Sequence, residues 1–95
     1  MRTLISELLF TLAAVSKLAK RGISTDEVLE LPWNRYRVVA NPHGPDPDRR
    51  FLIGRTNAGR FLTVVIAPTG ETTTWLVITG WEATISQRRL LDAEP

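Results

Sequence analysis

Ninety-five residues, 43% of them hydrophobic, suffice for one small domain closed on a single core and leave no room for a second. The absence of cysteine and the presence of one histidine, His43, exclude disulfides, thiolate chemistry, cysteine-ligated zinc and a histidine metal cluster. The formal charge of +2 conceals an uneven spread: residues 1–31 balance, whereas residues 32–91 carry eight arginines against four acidic side chains.

From about Thr3 to Arg21, Leu4, Leu8, Leu12, Val15 and Leu18 recur at intervals of three and four, which predicts a first helix with one stripe on a core. Glu7 and Lys17 interrupt this stretch, and it is too short to span a bilayer. It also lacks the start and cleavage site of a signal peptide, so a cytoplasmic location is expected. Gly22 can end the helix in a left-handed conformation, while Lys20 and Arg21 suit the negative end of the helix dipole. Ser24 and Glu27 form a capping box for a short second helix, about Thr25 to Leu31, with Ile23 and Val28 as its hydrophobic staple. Such caps contribute about 1 kcal/mol each. Pro32 stops that helix.

Beyond Trp33 the pattern becomes that of strands: Tyr36 to Ala40, Arg49 to Arg55, Arg60 to Ala67 and Thr73 to Thr79. A long Pro/Gly/Asp loop, Asn41 to Asp48, separates the first two and holds His43, read as a loop residue in preference to a general base. Thr56-Asn57-Ala58-Gly59 and Pro68-Thr69-Gly70-Glu71 are the hairpin turns. Thr84, followed three residues later by Gln87, caps a last helix, about Ile85 to Leu91. The expected architecture is α+β: two N-terminal helices, a four-stranded, mainly antiparallel sheet and a C-terminal helix, in one domain over residues 1–95. Pairing symmetrically about the turns puts Phe51, Ile53, Leu62, Val64, Ile66, Trp75 and Val77 on the helix-covered face. Arg50, Leu52, Gly54, Phe61, Thr63, Val65, Thr74, Leu76 and Ile78 then fall on a mixed face suited to binding or oligomerisation.

Every cation after Lys20 is arginine, whose planar fork suits phosphate; a polyanionic partner and a merely arginine-rich composition account for this equally. The stretches KLAKRGISTDEV (17–28), RRFLIGRTNAGRFLTVVI (49–66) and WLVITGWEATISQRRLL (75–91) resemble the BrnT-type ribonuclease toxins, small relatives of the RelE-like toxins of bacterial toxin–antitoxin pairs. The resemblance runs from about Ala14 to Leu91. It rests on Lys20-Arg21-Gly22-Ile23-Ser24 at the first helix end, Arg50 and Gly54 in the strand before the hairpin, Gly59-Arg60 at its exit, and Ala83-Thr84 leading to Arg88 and Arg89.

The sequence departs from the family at several places. Arg21 stands where a histidine is frequent, Thr79-Gly80-Trp81 where an arginine is common, and Gln87 where an acidic residue often precedes the arginines. The family's initial short strand has no evident counterpart in MRTLISELLF. A relative that keeps the fold with cleavage weakened or lost fits this pattern as well as an active one.

The resemblance implies metal-independent RNA cleavage: the ribose 2′-OH attacks the adjacent phosphorus without a cofactor. In that reading Arg50 and Arg88 hold the phosphorane charge and Lys20 adds charge or moves a proton. Lys17, Arg21, Arg55, Arg60 and Arg89 follow the RNA backbone, and Trp81 stacks a base. The implied partners are RNA and a cognate antitoxin protein. The alternatives are a noncatalytic module of the same fold that binds protein, nucleic acid or a second copy of itself, with the arginines as solvated or ion-paired rim residues and Trp81 in a core.

Overall fold

The structure, a computed structural model, describes residues 3–41 and 46–92. His43 lies outside the described residues.

The first element is a strand, β1 (Glu7–Phe10), and helix α1 (Leu12–Ala19) begins only after it. The apolar spacing that predicted one long helix is overridden by pairing: β1 lies parallel to β5 (Thr74–Glu82), with Leu8 opposite Trp75 and Phe10 opposite Val77. Thr11 marks the change, its Oγ1 accepting from the Ala14 N–H at 3.0 Å as the N-cap of α1. Of the expected stripe, Leu8 and Leu18 are buried, whereas Leu4 and Leu12 face solvent. MRTLISELLF thus contains a strand, β1, where the sequence predicts only helix.

Gly22, at φ 71, turns the chain after α1, and the Ile23 N–H closes the turn on the Leu18 carbonyl at 3.0 Å. Helix α2 (Thr25–Glu30) starts with the capping box complete: Ser24 Oγ accepts from the Glu27 N–H, and Glu27 Oε1 accepts from the Ser24 N–H. Leu31–Trp33 then tightens into a 3-10 turn around Pro32. Strands β2 (Tyr36–Ala40), β3 (Arg50–Arg55), β4 (Phe61–Pro68) and β5 follow, and helix α3 (Ile85–Asp92) ends the described chain. Thr84 and Gln87 cap α3 reciprocally, as expected.

The sheet has five strands, not four, in the order β1-β5-β4-β3-β2, antiparallel except for β1 beside β5. The β3–β4 register also differs from expectation. Arg60 belongs to the turn, where its N–H donates to Thr56 Oγ1 and its carbonyl accepts from the Thr56 N–H. Arg55 therefore opposes Phe61, and Leu52 opposes Val64. One added turn residue moves every β3 side chain to the other face. Leu52 and Gly54 thus join Leu62, Val64, Ile66 and Val77 on the core face, and Phe51 and Ile53 leave it.

That core face is sealed by α1, α2 and the 3-10 turn through Leu18, Val28 and Leu31, each at 0% exposure. A Cβ on Gly80 would lie 3.0 Å from Leu18 Cδ2 and 3.0 Å from the Thr63 carbonyl oxygen, so glycine is what lets α1 approach β5. The opposite face is covered by α3, under which Ile53 and Leu91 are buried.

Candidate nucleic-acid interface

β1 covers β5 only as far as Val77, so the outer edge of residues 79–82 is free of strand pairing among the described residues. An irregularity in the β4–β5 pairing between Val65 and Ile66 places Ile78 as an extra residue there, and beyond it Thr79 opposes Val65 and Trp81 opposes Thr63. One cation meets this open edge directly.

Arg21 reaches it from the end of α1. Its Nη1 donates to the Gly80 carbonyl at 3.3 Å, and its guanidinium carbon lies 5.8 Å from the centre of the Trp81 ring. Trp81 meets Phe51 edge to face at 5.6 Å, and its Nε1 donates to Gln87 Oε1 at 3.2 Å. That same oxygen accepts from Thr63 Oγ1 at 2.8 Å and from the Thr84 N–H at 3.0 Å, so one side chain fixes the indole, the sheet and the start of α3 together. Lys17 and Lys20 are exposed on the same helix end.

The second cluster lies where β4 begins. Phe61 carries the Arg88 guanidinium 4.3 Å from its ring centre and that of Arg55 at 6.0 Å. Beside it a cleft of about 200 Å³ is lined by Gly59, Arg60, Phe61, Glu82, Ala83 and Arg88. Arg60 is already engaged: it donates to the Gly22 carbonyl at 2.8 Å and pairs with Glu27 at 3.1 Å and Glu82 at 3.4 Å. These contacts tie the turn after α1 to the β3–β4 hairpin. Glu27 is held below its ordinary carboxyl pKa, first by the Ser24 N–H and then, against the opposing effect of burial, by Arg60.

The structure thus brings Arg21 and Trp81 together on the open edge, and Arg55, Arg60 and Arg88 around Phe61. It does not bring Arg50 to Arg88. Arg50 begins β3, five residues before Arg55, roughly 17 Å away at the usual strand rise, and belongs by register to the face of Leu52. Its Nη1 donates to the carbonyls of Pro47 and Arg49 at 2.7 and 3.0 Å. Arg89 is on an exposed side of α3. Glu82, Phe61 and Gln87 were absent from the expected site. The available signal was Glu82 directly after Trp81, at the end of a strand whose hairpin partner begins with Arg60-Phe61.

Among the described residues no helix is long and apolar enough to cross a membrane, and no group of three or more acidic, histidine or cysteine side chains is placed to hold a metal ion.

The fold is α+β, a five-stranded sheet with helices on both faces. The solved structure of the ribonuclease toxin BrnT from Brucella abortus matches it with a TM-score of 0.60 over 82% of this chain and 96% of that one, at 21% identity. The chain therefore has the BrnT-type toxin fold in a divergent sequence. No protein-family profile and no curated protein sequence matches it.

Proposed function

We propose that this chain is a ribonuclease-toxin-like protein that binds RNA along the open edge of β5 and cleaves it without metal in the cleft beside Phe61. The observation that carries the proposal is the cleft itself, where the carboxylate of Glu82, oriented by Arg60 at 3.4 Å, shares one hollow with Arg88 on a BrnT-type fold. Glu82 takes the proton from the ribose 2′-OH as that oxygen bonds to the adjacent phosphorus. The bond to the 5′ oxygen breaks, and this oxygen takes a proton from Lys20 or water, leaving 2′,3′-cyclic phosphate and 5′-hydroxyl ends. Arg88, with Arg55, holds the charge that grows on the phosphoryl oxygens, a role in which one preorganised donor contributes a factor of about 10² to 10³. Lys17, Lys20, Arg21 and Arg89 follow the backbone, and Trp81 offers an aromatic edge to a base. Arg50 takes no part at this centre. The partner implied beside RNA is a cognate antitoxin protein.

The test is cleavage of end-labelled RNA in EDTA. Wild type should leave cyclic ends, and Arg88→Ala and Glu82→Gln should each slow cleavage by about 10² or more while folding normally. A noncatalytic RNA-binding module is the second reading, favoured by the engagement of Arg60 in three internal contacts. It predicts salt-sensitive binding with no cleavage by wild type.

A further inference from the structure

Near the β3–β4 hairpin lies a hollow of about 270 Å³ lined by Asn34, Arg35, Arg55, Thr56 and Asn57. Arg55 joins it to the cleft beside Phe61. Its guanidinium lies 6.0 Å from the Phe61 ring centre, and a Cβ on Gly59 would lie 3.4 Å from its Nη2; Phe61 and Gly59 both line the cleft. Arg35 and Arg55 stand one residue beyond the Tyr36–Gly54 pair, at the same end of β2 and β3. Of these five residues, the cleavage reading uses Arg55 alone.

The lining is polar and held in place. Asn34 Nδ2 donates to the Arg55 carbonyl at 2.8 Å and to Asn57 Oδ1 at 2.9 Å. A carbonyl can only accept, so the first bond fixes which end of the Asn34 amide is nitrogen, and the second then fixes Asn57. Asn34 Oδ1, an acceptor, and Asn57 Nδ2, a donor, are left without a partner among the described residues. The Asn57 N–H donates to Glu30 Oε1 at 2.9 Å, and Thr56, 2% exposed, bonds Arg60 through both its N–H and its hydroxyl. A lining fixed in this way pays little to receive a ligand.

Two arginines and no acidic side chain in the lining favour an electron-rich ligand. Phosphate fits poorly, because it only accepts and would leave the Asn34 Oδ1 acceptor beside an anion. A nucleobase edge carries donors as well as acceptors. Guanine suits this set best: its neighbouring acceptors O6 and N7 match an arginine fork, and its N1–H and N2–H lie next to them for an amide oxygen.

We infer that this hollow is a guanine-reading subsite for the nucleotide next to the scissile phosphate, with Arg35 donating to O6 and N7 and Asn34 Oδ1 accepting from the N1–H and N2–H edge. The inference rests on the RNA reading above and adds to it the base at which cleavage falls. Asn34 and Arg35 act here as specificity residues, apart from the phosphate-holding Arg55 and Arg88.

The test measures, by fluorescence anisotropy at one salt concentration, the binding of labelled 2′-fluoro RNA pentamers. These cannot be cut by 2′-OH attack, and they differ only in a central G, A, C or U between flanking uridines. Wild type should bind the guanine pentamer about tenfold more tightly than the other three. Arg35→Lys, which keeps the charge and loses the fork, should bring guanine to within about twofold of uracil while holding the all-uracil affinity. Arg35 is exposed, so this variant should fold, and an unchanged unfolding midpoint verifies it. Asn34→Ala provides a second variant expected to lose the preference. Equal binding of the four pentamers by wild type, or a preference that survives both substitutions, would overturn the inference and leave the RNA reading intact. Tightest binding of another base would overturn the choice of guanine. Binding of none would defeat the RNA reading and the inference with it. On cleavable RNA in EDTA, cuts should fall beside guanosines with wild type and scatter with Arg35→Lys. Cuts indifferent to guanosine would overturn the placement beside the scissile phosphate, whereas no cuts at all would defeat the cleavage reading and leave the base preference standing on the pentamers.

Discussion

The two faces of the sheet are closed by opposite means. On the face under α1 and α2, Leu18, Val28, Leu31, Leu62 and Ile66 have no exposure, and the centre of the contact is apolar. On the other, α3 is anchored by Leu91 and by a polar knot at Gln87 Oε1, with Trp81, Phe61, Arg55 and Arg88 left partly or wholly in water at its rim. Apolar burial scales with area and tolerates no charge, so the first face supplies stability. The second fixes side chains by direction and leaves cations accessible, which is what a site for an anionic ligand needs.

Substitutions should separate the faces by size of effect. Leu18→Ala should cost about 3 to 4 kcal/mol in denaturant unfolding, because it opens a cavity between α1 and β5. Gly80→Ala should cost up to about 3 kcal/mol, since the Thr63 carbonyl at 3.0 Å from the new Cβ is backbone and cannot rotate away. A loss of less than 1 kcal/mol from either would contradict the sealed-face description.

Gln87→Ala should cost less, about 1 to 2 kcal/mol, by stranding the Thr63 hydroxyl and the Trp81 indole N–H. Its larger signature should be a red-shifted, broadened tryptophan emission and weaker RNA binding, while Gln87→Glu, which keeps an acceptor oxygen, should restore the emission. Arg21→Ala should be milder still, about 0.5 to 1 kcal/mol, and should lower the salt slope of RNA binding by about one phosphate contact. An RNA affinity unchanged by Arg21→Ala would remove the β5 edge from the interface.

What was legible in the sequence follows the range of the forces involved. Both capping boxes, the Gly22 turn and the span of β2 are set by residues within a few positions of one another, and all stand as expected. β1 was misread because its partner lies 67 residues away at Thr74, and no local spacing distinguishes a half-buried strand from the end of an amphipathic helix. The β3 faces were misread for a smaller reason, the single residue Arg60 counted into a strand instead of the turn. Of the site, Arg21 and Trp81 were chosen from sequence as separate contacts, whereas their stacking and Gln87's hold on the indole depend on packing across the sheet. Arg50 and Arg88 were paired by analogy, and the register parts them.

The smallest effect bears on how the cleft is held. Glu27 caps α2 and pairs with Arg60, which in turn reaches Glu82. Its folded pKa lies below the ordinary 4.5, so the folded state binds its proton less readily than the unfolded one. The resulting stability is fully present above pH 4.5 and is lost as the pH falls through the folded value. Gln serves a capping box as well as Glu does, so Glu27→Gln keeps the cap and removes the charge. The expected loss is about 0.5 kcal/mol at neutral pH for a partly exposed pair, with a shallower acid limb in chemical unfolding measured from pH 6 down to about 3. An acid limb as steep as that of wild type would mean that other carboxylates carry it, and that Arg60 holds the hairpin to the α1 turn through the Gly22 carbonyl alone.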